Sequence, residues 1–177
     1  MSRALLSRNM GVVRTRATKG KLNTFYFAYG SNMNWAQMRG RCPSARFVAL
    51  AELKNYRLAF PLRSKSRGCG TAGAIAEPGQ MVWGVVYEIE ECDLGTLDRA
   101  EDFIRGGEDN SYTREQREVY ALSDGNKPLL VSVYLPIQQQ NPPLPTAEYK
   151  QLIVQGAKHW GLPAEYIRFL EEVRTAP

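Results

Sequence analysis

The run Phe25-Tyr26-Phe27-Ala28-Tyr29 constrains the fold more than any other stretch of this chain. It has no polar side chain at alternate positions, so it does not read as a strand with one face in water. It reads as a strand covered on both faces, central in its sheet. The run stops at Gly30. Ser31 and Asn32 follow, small residues that bond to nearby backbone, and a short helix is expected over Trp35 to Arg39. Such a turn aims backbone N–H groups at one point, which suits a carboxylate, a phosphate or a developing oxyanion. The competing reading is that Ser31 or Asn32 only caps the helix, and spacing alone favours the cap.

Further strands are expected at Arg46 to Leu53, Tyr56 to Phe60, Gly73 to Glu77, Met81 to Glu90, Arg114 to Leu122 and Leu129 to Pro136. Glu77-Pro78-Gly79-Gln80 and Ser123-Asp124-Gly125-Asn126 have the composition of hairpin turns. Helices are expected at Cys92 to Asp102, Ala147 to Trp160 and Ala164 to Arg174, the last entered through Pro163. Gln138 to Pro145, rich in amides and prolines, reads as a loop. Strands and helices do not alternate regularly, so the fold class is α+β with a largely antiparallel or mixed sheet.

Composition narrows the chemistry. The one histidine, His159, excludes zinc and iron sites that need two or more; ahead of Gly161 it reads as a cation at a helix C-terminus. Cys42, Cys69 and Cys92 are odd in number and lack C-x-x-C spacing, which argues for free thiols in a reducing compartment. No apolar stretch approaches the roughly 18 residues of a membrane-spanning helix. The net charge of +5 is concentrated in residues 1–21, where Arg3, Arg8, Arg14, Arg16, Lys19 and Lys21 stand without an acid. The remainder, from Leu22 onward, is close to neutral and gives no reason to expect a nucleic-acid face. The basic segment reads as a disordered tail or an upstream start, with Met10 as another start, and its composition is also shared by organellar targeting segments. The folded domain is therefore placed at residues 22–177.

Gly68-Cys69-Gly70-Thr71-Ala72-Gly73 matches the dinucleotide-binding fingerprint letter for letter, but no strand feeds it and no helix follows, so it reads as a loop entering a strand. In the helix after Cys92, Leu94, Leu97 and Glu101 share a face, so an acid continues the apolar stripe. A carboxylate placed there is partly buried and suited to acid–base work. Asp98 lies on nearly the same side, and the helical wheel does not choose between them. Tyr112, Tyr134 and Tyr149 stand beside loops or element ends, where a phenol can reach a ligand.

Phe27 to Met33, Val82-Trp83-Gly84-Val85-Val86-Tyr87, Leu97-Asp98-Arg99-Ala100-Glu101, Pro145 to Tyr149, Gly156-Ala157-Lys158 and Gly161-Leu162-Pro163 occur in that order. Together they resemble the γ-glutamylcyclotransferase family, and the resemblance runs from about Thr24 to Leu170. It implies a small mixed β-barrel wrapped by helices, with a cavity at the Tyr29-Gly30-Ser31-Asn32 loop. It implies a catalytic glutamate at Glu101 rather than Asp98, a substrate-binding loop at Tyr29, Gly30, Ser31 and Asn32, and pocket tyrosines at Tyr112, Tyr134 and Tyr149. The reaction implied is attack of the α-amino group of a γ-glutamyl amide on its own γ-carbonyl, giving 5-oxoproline and a free amine, without metal or organic cofactor. Arg105 to Asn110 is longer than in the animal enzymes, a place where selectivity can differ. Y-G-S-N-M rather than Y-G-S-L argues against the glutathione-degrading branch. The expected partner is a small-molecule γ-glutamyl substrate, with no nucleic acid, no membrane and a homodimer permitted. Cytoplasmic placement is expected, with targeting by residues 1–21 as the alternative. A γ-glutamylamine or biosynthetic deprotecting cyclotransferase, and a non-catalytic binding module of the same fold, are the competing readings.

Overall fold

The computed structural model describes residues 23–122 and 127–177, so the basic segment 1–21 and the hairpin turn expected at Ser123-Asp124-Gly125-Asn126 lie outside the described residues. Five strands close into a barrel in the order β1-β3-β2-β4-β5. They are β1 (Asn23–Ala28), β2 (Arg46–Arg63), β3 (Gly70–Glu90), β4 (Tyr112–Ala121) and β5 (Pro128–Pro136). The aromatic run forms β1, antiparallel to β3 on one side and parallel to β5 on the other through Tyr26 and Ser132. Tyr26 and Phe27 point to opposite faces and both are buried, which is why the run carries no polar alternation. The mixed barrel with surrounding helices is the architecture that the family resemblance implied, and it is consistent with the α+β class read from the residues.

The long strands differ from expectation. Arg46 to Leu53 and Tyr56 to Phe60 are halves of the single strand β2, and Gly73 to Glu77 and Met81 to Glu90 are halves of β3. Glu77-Pro78-Gly79-Gln80 is therefore not a hairpin. Both flanks pair with β2, Lys54 opposite Met81 and Tyr56 opposite Ala76, and the four residues swell out as a bulge. Asn55 and Gly79, both at positive φ, close this irregularity, with the Gly79 N–H donating to Asn55 Oδ1 at 3.1 Å. Turn residues signal a chain reversal and a bulge alike, and the partner strand decides between them.

Among the described residues, four α-helices complete the fold: α1 (Trp35–Arg41), α2 (Glu91–Ala100), α3 (Ala147–Trp160) and α4 (Ala164–Glu172). The bounds of α3 are those expected; Thr146 caps its start by accepting from the Tyr149 N–H at 3.2 Å, and Gly161 stops it in the left-handed conformation. Gly68 to Gly73 forms a turn and the first residues of β3 with no following helix, as its context indicated. Gly70 is glycine because a Cβ there would lie 2.1 Å from the Pro143 carbonyl oxygen of the proline-rich loop. Among the described residues, no helix is long and apolar enough to cross a membrane.

Candidate active site

Glu101 stands where α2 stops. The Phe103 N–H donates to the Asp98 carbonyl at 2.9 Å and the Asp102 N–H to that of Arg99 at 3.2 Å, with Asp102 at φ 50°. This is a Schellman stop with an aspartate in the position that glycine usually fills. Asp102 tolerates it in the company of Ser111 Oγ at 2.5 Å and Lys65 Nζ at 2.9 Å, partners that hold its carboxyl below the ordinary value. The helix thus ends at Ala100, before the expected Asp102, and its final turn delivers the Glu101 side chain inward.

The turn after β1 meets that side chain. Ser31–Met33 forms a single 3-10 turn, buried throughout. Neither Ser31 nor Asn32 caps α1: Asn34 does, accepting from the Gln37 N–H at 3.1 Å. Asn32 instead donates from Nδ2 to Glu101 Oε1 at 2.8 Å and to the Tyr26 hydroxyl at 2.8 Å. Its Oδ1 accepts from Arg41 Nη1 at 2.7 Å, and the same nitrogen donates to Glu101 Oε1 at 3.1 Å. Gln37 Nε2 reaches Ser31 Oγ at 2.8 Å and Asn32 Oδ1 at 3.1 Å. Oε1 of Glu101 is therefore held by an amide and a guanidinium, while Oε2 takes no hydrogen bond among the described residues. Helix α3 presses on this turn from behind: a Cβ on Gly156 would lie 2.4 Å from the Met33 carbonyl carbon, so only glycine allows the approach.

Glu101 borders two connected spaces. A small inner chamber is walled by Tyr26, Tyr29, Gly30, Asn32, Tyr112, Tyr134 and Tyr149. An outer mouth of about 130 Å³, open to solvent, carries Ser31, Arg41, Lys65, Arg67 and Arg99 and shares Glu101, Tyr112 and Tyr149 with the chamber. Tyr29, Gly30, Ser31, Asn32, Glu101, Tyr112, Tyr134 and Tyr149 thus each line one or both of these spaces. The phenols are tied to the frame: Tyr29 donates to the Tyr134 carbonyl at 2.5 Å, Tyr112 to the Ala72 carbonyl at 2.7 Å, and Tyr149 accepts from the Ala72 N–H at 3.1 Å. Asp98 is outside the chamber. It receives Arg114 Nη1 on both carboxylate oxygens at 2.9 Å and the Tyr134 hydroxyl at 2.6 Å, and so braces a chamber wall.

Burial raises the Glu101 carboxyl above its ordinary value, and Arg41, Asn32 and Arg67 draw it part of the way back. The phenols stay protonated: burial pushes Tyr149 up to about 12 and raises Tyr112 well above the usual tyrosine value. The chamber is therefore a neutral, hydrogen-bonded shell around one carboxylate whose proton affinity is tuned upward.

A profile of the AIG2-like family matches residues 81–170. The chain is 34% identical over 152 residues to a human (Homo sapiens) γ-glutamylcyclotransferase, covering 84% of this chain and 77% of that one. It is 32% identical to a Bos taurus γ-glutamylcyclotransferase over 93% of this chain and 86% of the other. The chain belongs to the AIG2-like, γ-glutamylcyclotransferase family. A solved γ-glutamyl cyclotransferase superposes with a TM-score of 0.79 at 30% identity, covering 88% of this chain and 90% of that one. A yeast γ-glutamyl cyclotransferase specific to glutathione, 16% identical with a TM-score of 0.59 over 85% of this chain and 95% of that one, shares the fold alone.

Within this γ-glutamylcyclotransferase-family site, sequence reasoning missed Tyr26, Gln37, Arg41 and Arg67. Tyr26 was visible only as part of an apolar strand. Arg41 and Gln37 sit on one side of α1, four residues apart, a spacing that brings two polar side chains together but does not say what they face. Arg67 lies in the basic run Arg63 to Arg67, which gave no sign of folding back over Tyr149, where its guanidinium stands 5.1 Å from the ring. The Arg105–Asn110 segment closes on itself through Asn110, which bonds Ile104 and Gly107, and touches the mouth where the Asp109 carbonyl accepts from Lys65 at 3.3 Å.

Proposed function

We propose that this protein cyclises γ-glutamyl amides, the α-amino group attacking the γ-carbonyl to release 5-oxoproline and a free amine, with Glu101 moving the protons. The observation that carries the reading is the placement of Glu101: a half-buried carboxylate where an inner chamber meets the mouth, one oxygen held by Asn32 and Arg41 and the other without a hydrogen bond among the described residues.

The substrate's α-amino group, with a pKa of about 8, is mostly protonated at neutral pH and is no nucleophile in that state. Oε2 of Glu101 accepts its proton, and the raised proton affinity of the buried carboxyl lowers the cost of that transfer. The freed amine attacks the γ-carbon, forming the five-membered ring and a tetrahedral centre whose oxygen gains negative charge. The backbone N–H groups of Gly30, Ser31 and Asn32 are the donors for that oxygen; losing one such donor costs about 3 kcal/mol in well-studied cases. Protonated Glu101 then returns its proton to the departing nitrogen as the amide C–N bond breaks, and the carboxylate so regenerated takes the remaining extra proton from the ring nitrogen and passes it to the released amine, so one carboxyl serves every transfer. Tyr29, Tyr112, Tyr134 and Tyr149 hold the glutamyl chain curled so that nucleophile and carbonyl meet within one molecule. No step in this sequence calls on a metal or organic cofactor.

The folded unit is proposed to be residues 22–177, preceded by the basic segment. The test of the activity is an assay of the purified protein on a panel of γ-glutamyl amides, following 5-oxoproline and the released amine. Equal amounts of both products are expected. Binding across the panel without 5-oxoproline would overturn the enzymatic reading and leave a ligand-binding module.

A further inference from the structure

The mouth carries more positive charge than it neutralises. Of its basic side chains, Arg41 is paired with Glu101 at 3.1 Å and Lys65 with Asp102 at 2.9 Å. Arg67 and Arg99 have no carboxylate partner among the described residues: Arg67 Nη2 donates to Gln37 Oε1 at 2.7 Å and Arg99 Nη2 to Thr96 Oγ1 at 3.0 Å, both neutral acceptors. Arg67 is also held in place. The turn that bears it closes through Ser64 N–H to the Cys69 carbonyl and Gly68 N–H to the Ser64 carbonyl, both at 2.9 Å, with the Arg67 N–H on Ser64 Oγ at 3.1 Å. Its guanidinium lies over Tyr149, the wall shared by chamber and mouth, and its charge is felt at Glu101. With one of five N–H donors engaged, the planar fork keeps its remaining donors for a carboxylate.

We propose that Arg67, with Arg99 adding charge at the same opening, is the side chain that recognises the carboxylate of an amino acid departing from the γ-glutamyl group. This rests on the cyclotransferase reading above, since only a substrate with its glutamyl half in the chamber places the departing group at the mouth. It adds a specificity-determining residue that the chemistry itself does not require.

The test compares kcat/KM for γ-glutamylalanine and γ-glutamylethylamide, whose departing amines differ by the carboxylate. The wild-type protein is expected to favour γ-glutamylalanine by about 10-fold to 100-fold, the usual worth of a charged hydrogen bond, and the ratio should shrink as salt rises. In Arg67→Gln the ratio should fall several-fold, mainly through KM for γ-glutamylalanine, whereas Arg67→Lys, keeping charge without the fork, should retain part of it. Arg67 is exposed, so melting temperatures near wild type are expected for both variants. A wild-type ratio near one, or an unchanged ratio in Arg67→Gln, overturns the inference and leaves the reaction standing. Absence of 5-oxoproline from both substrates overturns the reaction and the inference together.

Discussion

In the inner chamber the hydroxyls of Tyr29, Tyr112, Tyr134 and Tyr149 are committed to backbone or carboxylate partners, whereas in the outer mouth Arg67 and Arg99 rest on neutral acceptors and keep donors in reserve. The chamber is built for shape: its phenols are buried, neutral and fixed, and it can curl a short chain without supplying charge of its own beyond Glu101. The mouth is built for charge, and solvent screens what it offers. A reaction that any γ-glutamyl group undergoes belongs to the first region and the choice of departing amine to the second. Damage to the chamber should therefore lower turnover for every substrate, and damage to the mouth should re-order substrates.

The largest effect expected on the chamber side is that of Glu101→Gln, which keeps the shape and removes the proton acceptor. A fall in kcat of about 10² to 10⁴ is expected, measured as 5-oxoproline release, with circular dichroism unchanged. Gly156→Ala comes next. Its methyl group would lie 2.4 Å from the backbone of the 3-10 turn, so the turn must shift. A displacement of about 1 Å at the oxyanion donors is enough for about a 100-fold loss of kcat/KM. If instead the melting temperature rises with activity intact, reflecting only the better helix former, the turn is not as tightly specified as the contact implies.

Arg41→Met should change a pH profile more than a rate. A base works ionised, so activity falls as pH drops through the Glu101 pKa. Arg41 stabilises the ionised form and draws that pKa down against the effect of burial. Removing Arg41 should raise it further, moving the acid limb of kcat/KM to higher pH. A limb that moves the other way would mean that the titrating group is not Glu101. The smallest catalytic effect is expected of Asp98→Asn, which loosens Arg114 and Tyr134 from a wall without touching the base. Less than 10-fold in kcat/KM is expected, with about 2 kcal/mol lost in denaturant unfolding because the Arg114 side chain, 14% exposed, loses its counter-charge.

The parts of the site that depend on local pattern were legible in the sequence. The turn after the aromatic strand, the acid continuing the face of Leu94 and Leu97, and the glycine stop after α3 all follow from spacing within a few residues. What is set by distant partners was not. Asn32 looked like a cap because caps and active-site amides share a residue type; that Asn34 does the capping is decided by which oxygen meets the Gln37 N–H. The end of α2 was placed at Asp102 because no glycine marks the stop, and an aspartate takes that conformation here in contact with Lys65 and Ser111 from other elements. The expected hairpin at Glu77–Gln80 turned into a bulge because β2 is long enough to pair with both flanks. Arg41 and Arg67 carried no signal at all, since their charges acquire meaning only where α1 and the β2–β3 turn converge on α2.

The central claim, that the Glu101 carboxylate takes the proton of the substrate's α-amino group, is tested most directly by the pH dependence of 5-oxoproline release in the Glu101→Gln protein beside the wild type. The account predicts that the variant loses the wild-type acid limb and that its small residual turnover rises with pH through about 8, as free amine forms without the enzyme's help. Wild-type turnover at neutral pH in Glu101→Gln, or a retained acid limb, would contradict it.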